Sequence, residues 1–246
     1  MPTATDTPLP AEVTPLAAMS LLADGRFPSG GHAHSNGFEA ASQTFGLDDA
    51  ASVERFISGR LRTTGRTEAA LVAATINHIT AATTSDPHNA VDWLLLDCEV
   101  NARILSPRLR EVSRSLGRQW LRAGKRIWNT STLRSLEAAS PSDGPHQVVA
   151  YAAVCAAAGM PPIAAVTVHL HHLVSGIGTA AVRLHGLDPF KMQRTQWELL
   201  PAVTEHAEQA VIDGAGPLAE LPASTGPVVE LLAQEHSRWE TRLFQS

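Results

Sequence analysis

Apolar residues recur at helical spacing through most of this 246-residue chain. The clearest example follows Pro107, where apolar positions step by three or four residues and the positions between them are polar. This pattern predicts an amphipathic helix with one buried stripe. The stripe comprises Leu105, Leu109, Val112, Leu116, Trp120, Ala123 and Ile127.

Several other segments show the same spacing. Asp48 or Asp49 is a candidate N-cap for a long helix that continues to Thr83 and stops before Asp86 and Pro87. Further helices are predicted over residues 93–103, 161–184 and 188–213 and from about Ser224. The nearly uncharged segment 161–184 is predicted to be the central core helix, and residues 140–146 are predicted to form a loop.

Composition agrees with a helical protein. Aromatic residues make up only 5% of the chain and alanine is abundant, which favours close-packed helices over sheets. The first fifteen residues include four prolines and too little apolar surface to stabilise a folded segment. The sequence therefore predicts an all-α, single-domain helical bundle over residues 16–246, preceded by a disordered tail over residues 1–15.

Charge and cysteine content limit the partners and the compartment. The net charge of −5 and the pI near 6.1 argue against nucleic acid and anionic membranes as partners. No uninterrupted apolar run reaches the ~18 residues needed to span a membrane. Cys98 and Cys155 form no CxxC motif, so we expect a protein of the reducing cytoplasm.

A loop rich in Pro, Gly and His joins the first apolar segment to the start of a helix. Pro28 restricts the backbone and Gly30 and Gly31 permit unusual angles, so the chain is predicted to turn here. Ser35 is a candidate N-cap whose hydroxyl would accept from a backbone N–H two or three residues later. Glu39 would then lie near the positive end of the helix dipole.

Eleven histidines raise the hypothesis of a metal site. His32 and His34 share the opening loop, and His169 and His172 are three residues apart on one predicted helix. The chain lacks an HExxH motif, and Ser35 lies outside a G-x-S-x-G nucleophile motif. A helical metal carrier or metalloenzyme therefore stays open as an alternative, although most histidines with such spacing are structural or exposed.

A basic stripe lies on the helix that follows Pro107. Within residues 103–134, nine Lys and Arg residues accompany a single acid, Glu111, so the stripe lacks the usual i,i+4 partners. Eight acids between residues 198 and 240 could pair with it inside the fold, or it could bind an acidic partner protein. The stripe comprises Arg110, Arg114, Arg118, Arg122 and Arg126.

Four segments resemble motifs of the urease accessory protein UreF family. The opening string P-x-G-[GA]-x-x-x-S-x-G-[LF]-E is matched at Pro28, Gly30, Gly31, Ser35, Gly37, Phe38 and Glu39. Residues 109–118 are similar to a second motif of this family, and the matching residues are Leu109, Arg110, Ser113, Leu116, Gly117 and Arg118. Residues 181–193 retain Arg183, Leu184, Leu187 and Gln193, with Asp188 and Pro189 where Gly-Gln is usual. Residues 236–246 resemble the carboxyl-terminal motif at His236, Trp239, Arg242, Leu243, Phe244 and Ser246.

The resemblance implies an all-helical, non-catalytic accessory protein. Such proteins bridge a UreG-type GTPase and a UreD(UreH)-type accessory protein and promote GTP-dependent nickel delivery to apo-urease. Nickel and GTP would act through those partners rather than as stably bound cofactors, and a homodimer stays open. The residues expected to bind partners are Pro28, Gly30, Gly31, Ser35, Gly37, Glu39, Arg110, Arg114, Arg118, Arg122, Arg183, Gln193, Arg242, Leu243 and Phe244.

Overall fold

The computed structural model describes residues 14–85 and 90–245, and within those ranges every regular element is a helix. The all-α prediction is confirmed. The helices are α1 Pro15–Ala23, α2 Phe38–Phe45, α3 Ala50–Arg60, α4 Arg66–Ser85, α5 Trp93–Ala102, α6 Pro107–Ile127, α7 Ser131–Ala139, α8 Gln147–Ala157, α9 Pro162–His185, α10 Pro189–Glu198, α11 Leu200–Asp213 and α12 Pro227–Ser237. Short 3-10 turns lie at Gly31–Ala33 and Leu218–Glu220.

The predicted tail falls largely outside the described residues. Thr14 caps α1 by accepting from the backbone N–H of Ala17, and Pro15 is the first helical residue. A proline at this position removes no intrahelical hydrogen bond, since the first N–H groups of a helix have no partner. The described helical part therefore begins just before the predicted boundary at residue 16.

The long helix predicted from Asp49 to Thr83 is broken. Asp49 caps α3 as expected, in a reciprocal capping box with Ser52. A π-helical turn at Leu61–Gly65 then separates α3 from α4, and Thr63 has non-helical angles (φ −109°, ψ −106°). The Thr63 hydroxyl donates to the Gly59 carbonyl at 2.8 Å, which satisfies a backbone group at the break. Helical periodicity continued through this segment, so it could not reveal the kink.

Helices α4, α8 and α9 form the centre of the bundle, and α4 packs against both α8 and α9. Almost every residue of α8 is buried, and the Tyr151 hydroxyl donates to the Ala165 carbonyl of α9 at 2.7 Å. One cluster of buried apolar side chains draws on residues from 18 to 244. In the described ranges, α9 alone is long and apolar enough to span a membrane, but it packs against α1, α2, α3, α4, α10 and α11, as expected of a core helix.

Two other helix predictions need correction. Residues 188–213 form two helices, because α10 ends at Glu198 and Pro201 lies in the first turn of α11. In α6 the buried stripe is shorter than predicted. Leu116, Trp120 and Ala123 are buried, whereas Leu105, which precedes the helix, is 57% exposed and Ile127 at its end is 43% exposed.

Candidate functional site

The loop before α2 relies on left-handed backbone conformations. Gly30 and Gly37 have φ near +80° and Asn36 has φ +55°. Gly37, rather than the predicted Ser35, is the N-cap of α2, and the buried Ser35 hydroxyl accepts from the N–H of Glu39 at 3.2 Å. A Cβ at Gly37 would lie 2.6 Å from Val229 Cγ1 of α12, so glycine permits both the turn and the close approach of α12.

Glu39 lies at the centre of a buried polar cluster. Its carboxylate accepts from His236 Nε2 at 2.8 Å, from the N–H of Leu243 at 2.7 Å and from the N–H of Phe244 at 3.0 Å. The side chains of Glu39 and His236 are each only 2% exposed. A carboxylate buried this deeply needs several donors, and these three come from the last eleven residues of the chain. We call Glu39, Arg183, His236, Leu243 and Phe244 the Glu39 cluster.

The carboxyl-terminal segment is therefore folded onto the opening loop. The N–H of Gln245 donates to the Ala33 carbonyl at 2.7 Å, and Arg108 of α6 donates to the Gln245 carbonyl at 3.3 Å. Leu243 is 51% exposed, as expected of a docking residue. Phe244 is also expected to bind a partner, but its ring is not available as an exposed docking residue, because it is 3% exposed and belongs to the core cluster.

Arg183 extends from α9 towards the same segment. Its guanidinium carbon lies 4.5 Å from the centre of the Phe244 ring, and its Nη1 donates to the His32 carbonyl at 3.2 Å. The residue is exposed, although its neighbours Ala181 and Val182 in α9 are apolar. The arginine joins α9 to the loop and the tail, partly through a cation–π contact.

The basic stripe divides into two parts with different environments. Arg110 donates to the Ile104 carbonyl at 2.7 Å, and Arg114 forms ion pairs with Asp97 at 3.0 Å and Asp143 at 3.1 Å. Arg118, Arg122 and Arg126 are exposed. In the described part of the chain, Arg114 pairs with Asp97 and Asp143, and none of the five arginines forms an ion pair with an acid of residues 198–240. The hypothesis that those acids neutralise the stripe is therefore wrong, because α12 packs near the start of α6, where Glu230 accepts from the N–H of Ser106.

A second buried polar network was missed at the sequence level. His146 Nδ1 lies 3.0 Å from Ser113 Oγ and its Nε2 lies 3.2 Å from Asn101 Oδ1, while its backbone N–H donates to Asp97 at 2.8 Å. Burial lowers the pKa of His146 to about 4, and the positive charge of Arg114 acts in the same direction. The available signal was Asp97, an acid directly after the apolar residues WLLL at positions 93–96.

The four candidate metal ligands all line a single cavity of about 300 Å³. Burial lowers the pKa values of His34 and His172 to about 4, so both rings are neutral near pH 7. His169 forms a hydrogen bond with Glu68, with 3.1 Å between His169 Nε2 and Glu68 Oε2. No group of three or more His, Cys, Asp or Glu residues within 14–85 and 90–245 is arranged to hold a metal ion. The lining histidines are His32, His34, His169, His171 and His172.

The remaining predicted partner-binding residues lie at or near the surface. Pro28 and Gly31 are exposed on the opening loop, and Arg242 is exposed beside Leu243. Gln193 is exposed on α10, apart from the contacts of the Glu39 cluster. Of the four resembling segments, the first, third and last thus meet at the Glu39 cluster, whereas residues 109–118 hold the loop at 140–146 against α6.

Comparison with known proteins agrees with these motifs. The UreF family model matches residues 47–200. A protein of Mycolicibacterium vanbaalenii named urease accessory protein UreF is 32% identical over 231 residues, which cover 94% of this chain and 99% of the relative. Proteins of the same name from Mycobacterium marinum and Mycobacterium tuberculosis are 34% and 31% identical over 95% of this chain and their whole length. The chain belongs to the UreF family.

Proposed function

We propose that this protein is a non-catalytic urease accessory protein that bridges a UreG-type GTPase and a UreD(UreH)-type scaffold. In this role it promotes GTP-dependent nickel insertion into apo-urease. Nickel and GTP act through the partners, and the assembly works in the cytoplasm. Support for the urease pathway comes from the near full-length relatives, each named a urease accessory protein.

The single observation that carries the docking proposal is the Glu39 cluster. It joins three segments that are far apart in the chain, and it holds the backbone of Leu243 and Phe244 with two hydrogen bonds. A tail fixed in this way loses little conformational entropy when a partner binds it. The cluster thus presents the exposed Leu243 and Arg242 in a pre-organised form.

Exposed apolar residues also lie on α12, the helix that precedes the tail. Val228 and Leu231 are three residues apart and are 52% and 69% exposed. Leu105 lies close by, because the adjoining Ser106 bonds to both Glu230 and Gln234 of α12. Exposed aliphatic residues beside a structured tail are typical of a protein-binding surface. We assign this surface to the UreD(UreH)-type partner.

Co-purification tests the proposal. The chain is mixed with its UreD(UreH)-type and UreG-type partners, with and without GTP and nickel, and recovered complexes are quantified. We expect Leu243→Ser to weaken capture of the UreD(UreH)-type partner, because it removes an exposed apolar contact. Leu94→Ser is the matched control, since Leu94 of α5 is also exposed, at 62%.

Activation of apo-urease is the functional measurement. Wild-type protein should raise urease activity in the presence of both partners, GTP and nickel, and Leu243→Ser should reduce that effect while Leu94→Ser does not. Equal capture and equal activation by the two variants would contradict the assignment of this surface. Absence of any complex with either partner would contradict the bridging role.

A further inference from the structure

We propose that the carboxyl-terminal half of α6 is a second docking surface, which binds an acidic segment of a partner protein. A groove of about 400 Å³ lies between this half of α6 and the loop at 140–145. Its apolar lining residues include Leu121, Pro141 and Pro145, and its cationic side chains are Arg118, Arg122, Lys125 and Arg126.

Most of this positive charge is uncompensated. Lys125 pairs with Glu137, and within the described part of the chain Glu137 is the one acidic residue that lines the groove. Arg118 donates to the Asp143 carbonyl, and the Asp143 carboxylate is bound to Arg114. Within the described ranges, Arg122 and Arg126 form no hydrogen bond or ion pair with the rest of the chain. Three exposed arginines on a protein of net charge −5 thus form a local site of opposite sign.

Spacing indicates the size of the ligand. Arg118 and Arg126 are eight residues apart on one helix, which corresponds to about 12 Å along its axis. A single small anion reaches only part of that length, whereas a peptide with several carboxylates can contact all three arginines. The apolar residues that line the groove beside the charges also suit a polypeptide, which brings aliphatic atoms together with its acidic groups.

The groove is unlike a nucleic-acid site in two respects. Its lining residues include no aromatic side chain on which a base could stack. The overall negative charge of the chain would also repel an extended polyanion of phosphates beyond the groove. An acidic protein segment, whose charge is limited to a few carboxylates, fits the patch better.

This surface lies at the far end of α6 from the Glu39 cluster. Arg108 near the start of α6 contacts the carboxyl-terminal tail, and Arg126 lies eighteen residues later, about 27 Å along the helix. Two partners could therefore dock without overlapping. The inference goes beyond the proposed function, and it can be tested on the purified chain without any urease protein.

The first test measures binding of a labelled oligo-glutamate peptide at low and high salt. The double variant Arg122→Glu/Arg126→Glu should bind the peptide on the order of tenfold more weakly than wild type at low salt. The affinity of the double variant should also change less with salt concentration. Arg55→Glu/Arg62→Glu is the matched control, because these exposed arginines lie outside the groove and the net charge changes equally. Binding that is equal in the two variants would overturn the proposal. Tighter binding of a duplex oligonucleotide than of the peptide at the same arginines would also overturn it.

The second test uses the two lysines of the chain, Lys125 and Lys191. Oligo-glutamate activated as a succinimidyl ester is added, and the modified lysines are identified by mass spectrometry. Lys191 is exposed and Lys125 is partly covered, so random reaction would favour Lys191. We expect preferential modification of Lys125 in the wild-type protein and in the Arg55/Arg62 control, and its loss in the Arg122/Arg126 variant. Preferential modification of Lys191 in the wild-type protein would contradict binding in the groove.

Discussion

Glu39 in the first turn of α2 and His236 in the last turn of α12 form a buried pair, with 2.8 Å between His236 Nε2 and Glu39 Oε2. The two residues are 197 positions apart, and α12 approaches the start of α2 so closely that a Cβ at Gly37 would lie 2.6 Å from Val229 Cγ1. Because the same carboxylate accepts from the backbone of Leu243 and Phe244, the pair also positions the carboxyl-terminal tail.

Replacing Glu39 with Gln should destabilise the protein and release the tail. The amide retains one acceptor oxygen but turns an N–H₂ group towards donors that the carboxylate satisfied, at a cost of about 1–3 kcal/mol. Chemical denaturation of Glu39→Gln, His236→Gln and the double variant measures the coupling between the two side chains. Limited proteolysis should cut the tail of Glu39→Gln faster than that of wild type. Additive effects of the two substitutions would show that the pair is not coupled.

Phe244 and Leu243 should separate stability from partner binding. Phe244→Ala removes a core ring and should lower the free energy of unfolding by about 2–4 kcal/mol, somewhat less than at a central core position because the tail can adjust. Leu243→Ser should change it by less than about 0.5 kcal/mol, since that side chain is half exposed. Thermal melting measures both. Equal destabilisation by the two substitutions would contradict the difference in burial.

The two parts of the basic stripe should respond differently to one substitution. Arg114→Met leaves the buried Asp97 carboxylate without its cation and should cost about 3–5 kcal/mol. Arg122→Met is the matched control on the same helix and should stay within about 0.5 kcal/mol of wild type. Denaturant titration checks both values. A stable Arg114→Met variant would show that Asp97 is satisfied by the N–H of His146 alone.

Stability should fall as the solution is acidified from about pH 6.5 to about pH 4. Burial lowers the pKa of His172 to about 4, and the neighbouring His169 and His171 act in the same direction. In this interval the unfolded chain binds a proton at His172 and the folded chain does not, so the contribution is fully present above pH 6.5 and is lost as the pH falls. Each such histidine contributes at most about 1.4 kcal/mol per pH unit.

The free energy of unfolding, measured across this interval, checks the expectation. His172→Gln should reduce the slope with pH, because it removes one of the groups that take up a proton on unfolding. His206→Gln is the comparison variant, since burial also lowers the pKa of His206 while the charge of Glu205 opposes that shift. A slope unchanged by His172→Gln would contradict its assignment as a neutral buried ring.

Local sequence patterns determined much of the fold. Apolar spacing, Asp49 as an N-cap and the prolines at helix starts predicted α3, α5, α6 and α9, because these signals act over a few residues. The same reasoning missed the break at Thr63 and the separation of α10 from α11. Both breaks retain helical periodicity on each side, so hydrophobic spacing alone could not locate them.

The arrangement of the site depended on tertiary contacts. The motifs identified Glu39, Arg183 and Phe244, but their sequence positions could not show that one carboxylate would hold the tail and that the Phe244 ring would enter the core. The stripe on α6 shows the same limit. Arg114 and Arg122 have the same helical spacing and charge, yet the first meets Asp97 and Asp143 while the second remains exposed. Periodicity determines which residues share a helix face, whereas only the packing of other segments against that face determines which charges they neutralise.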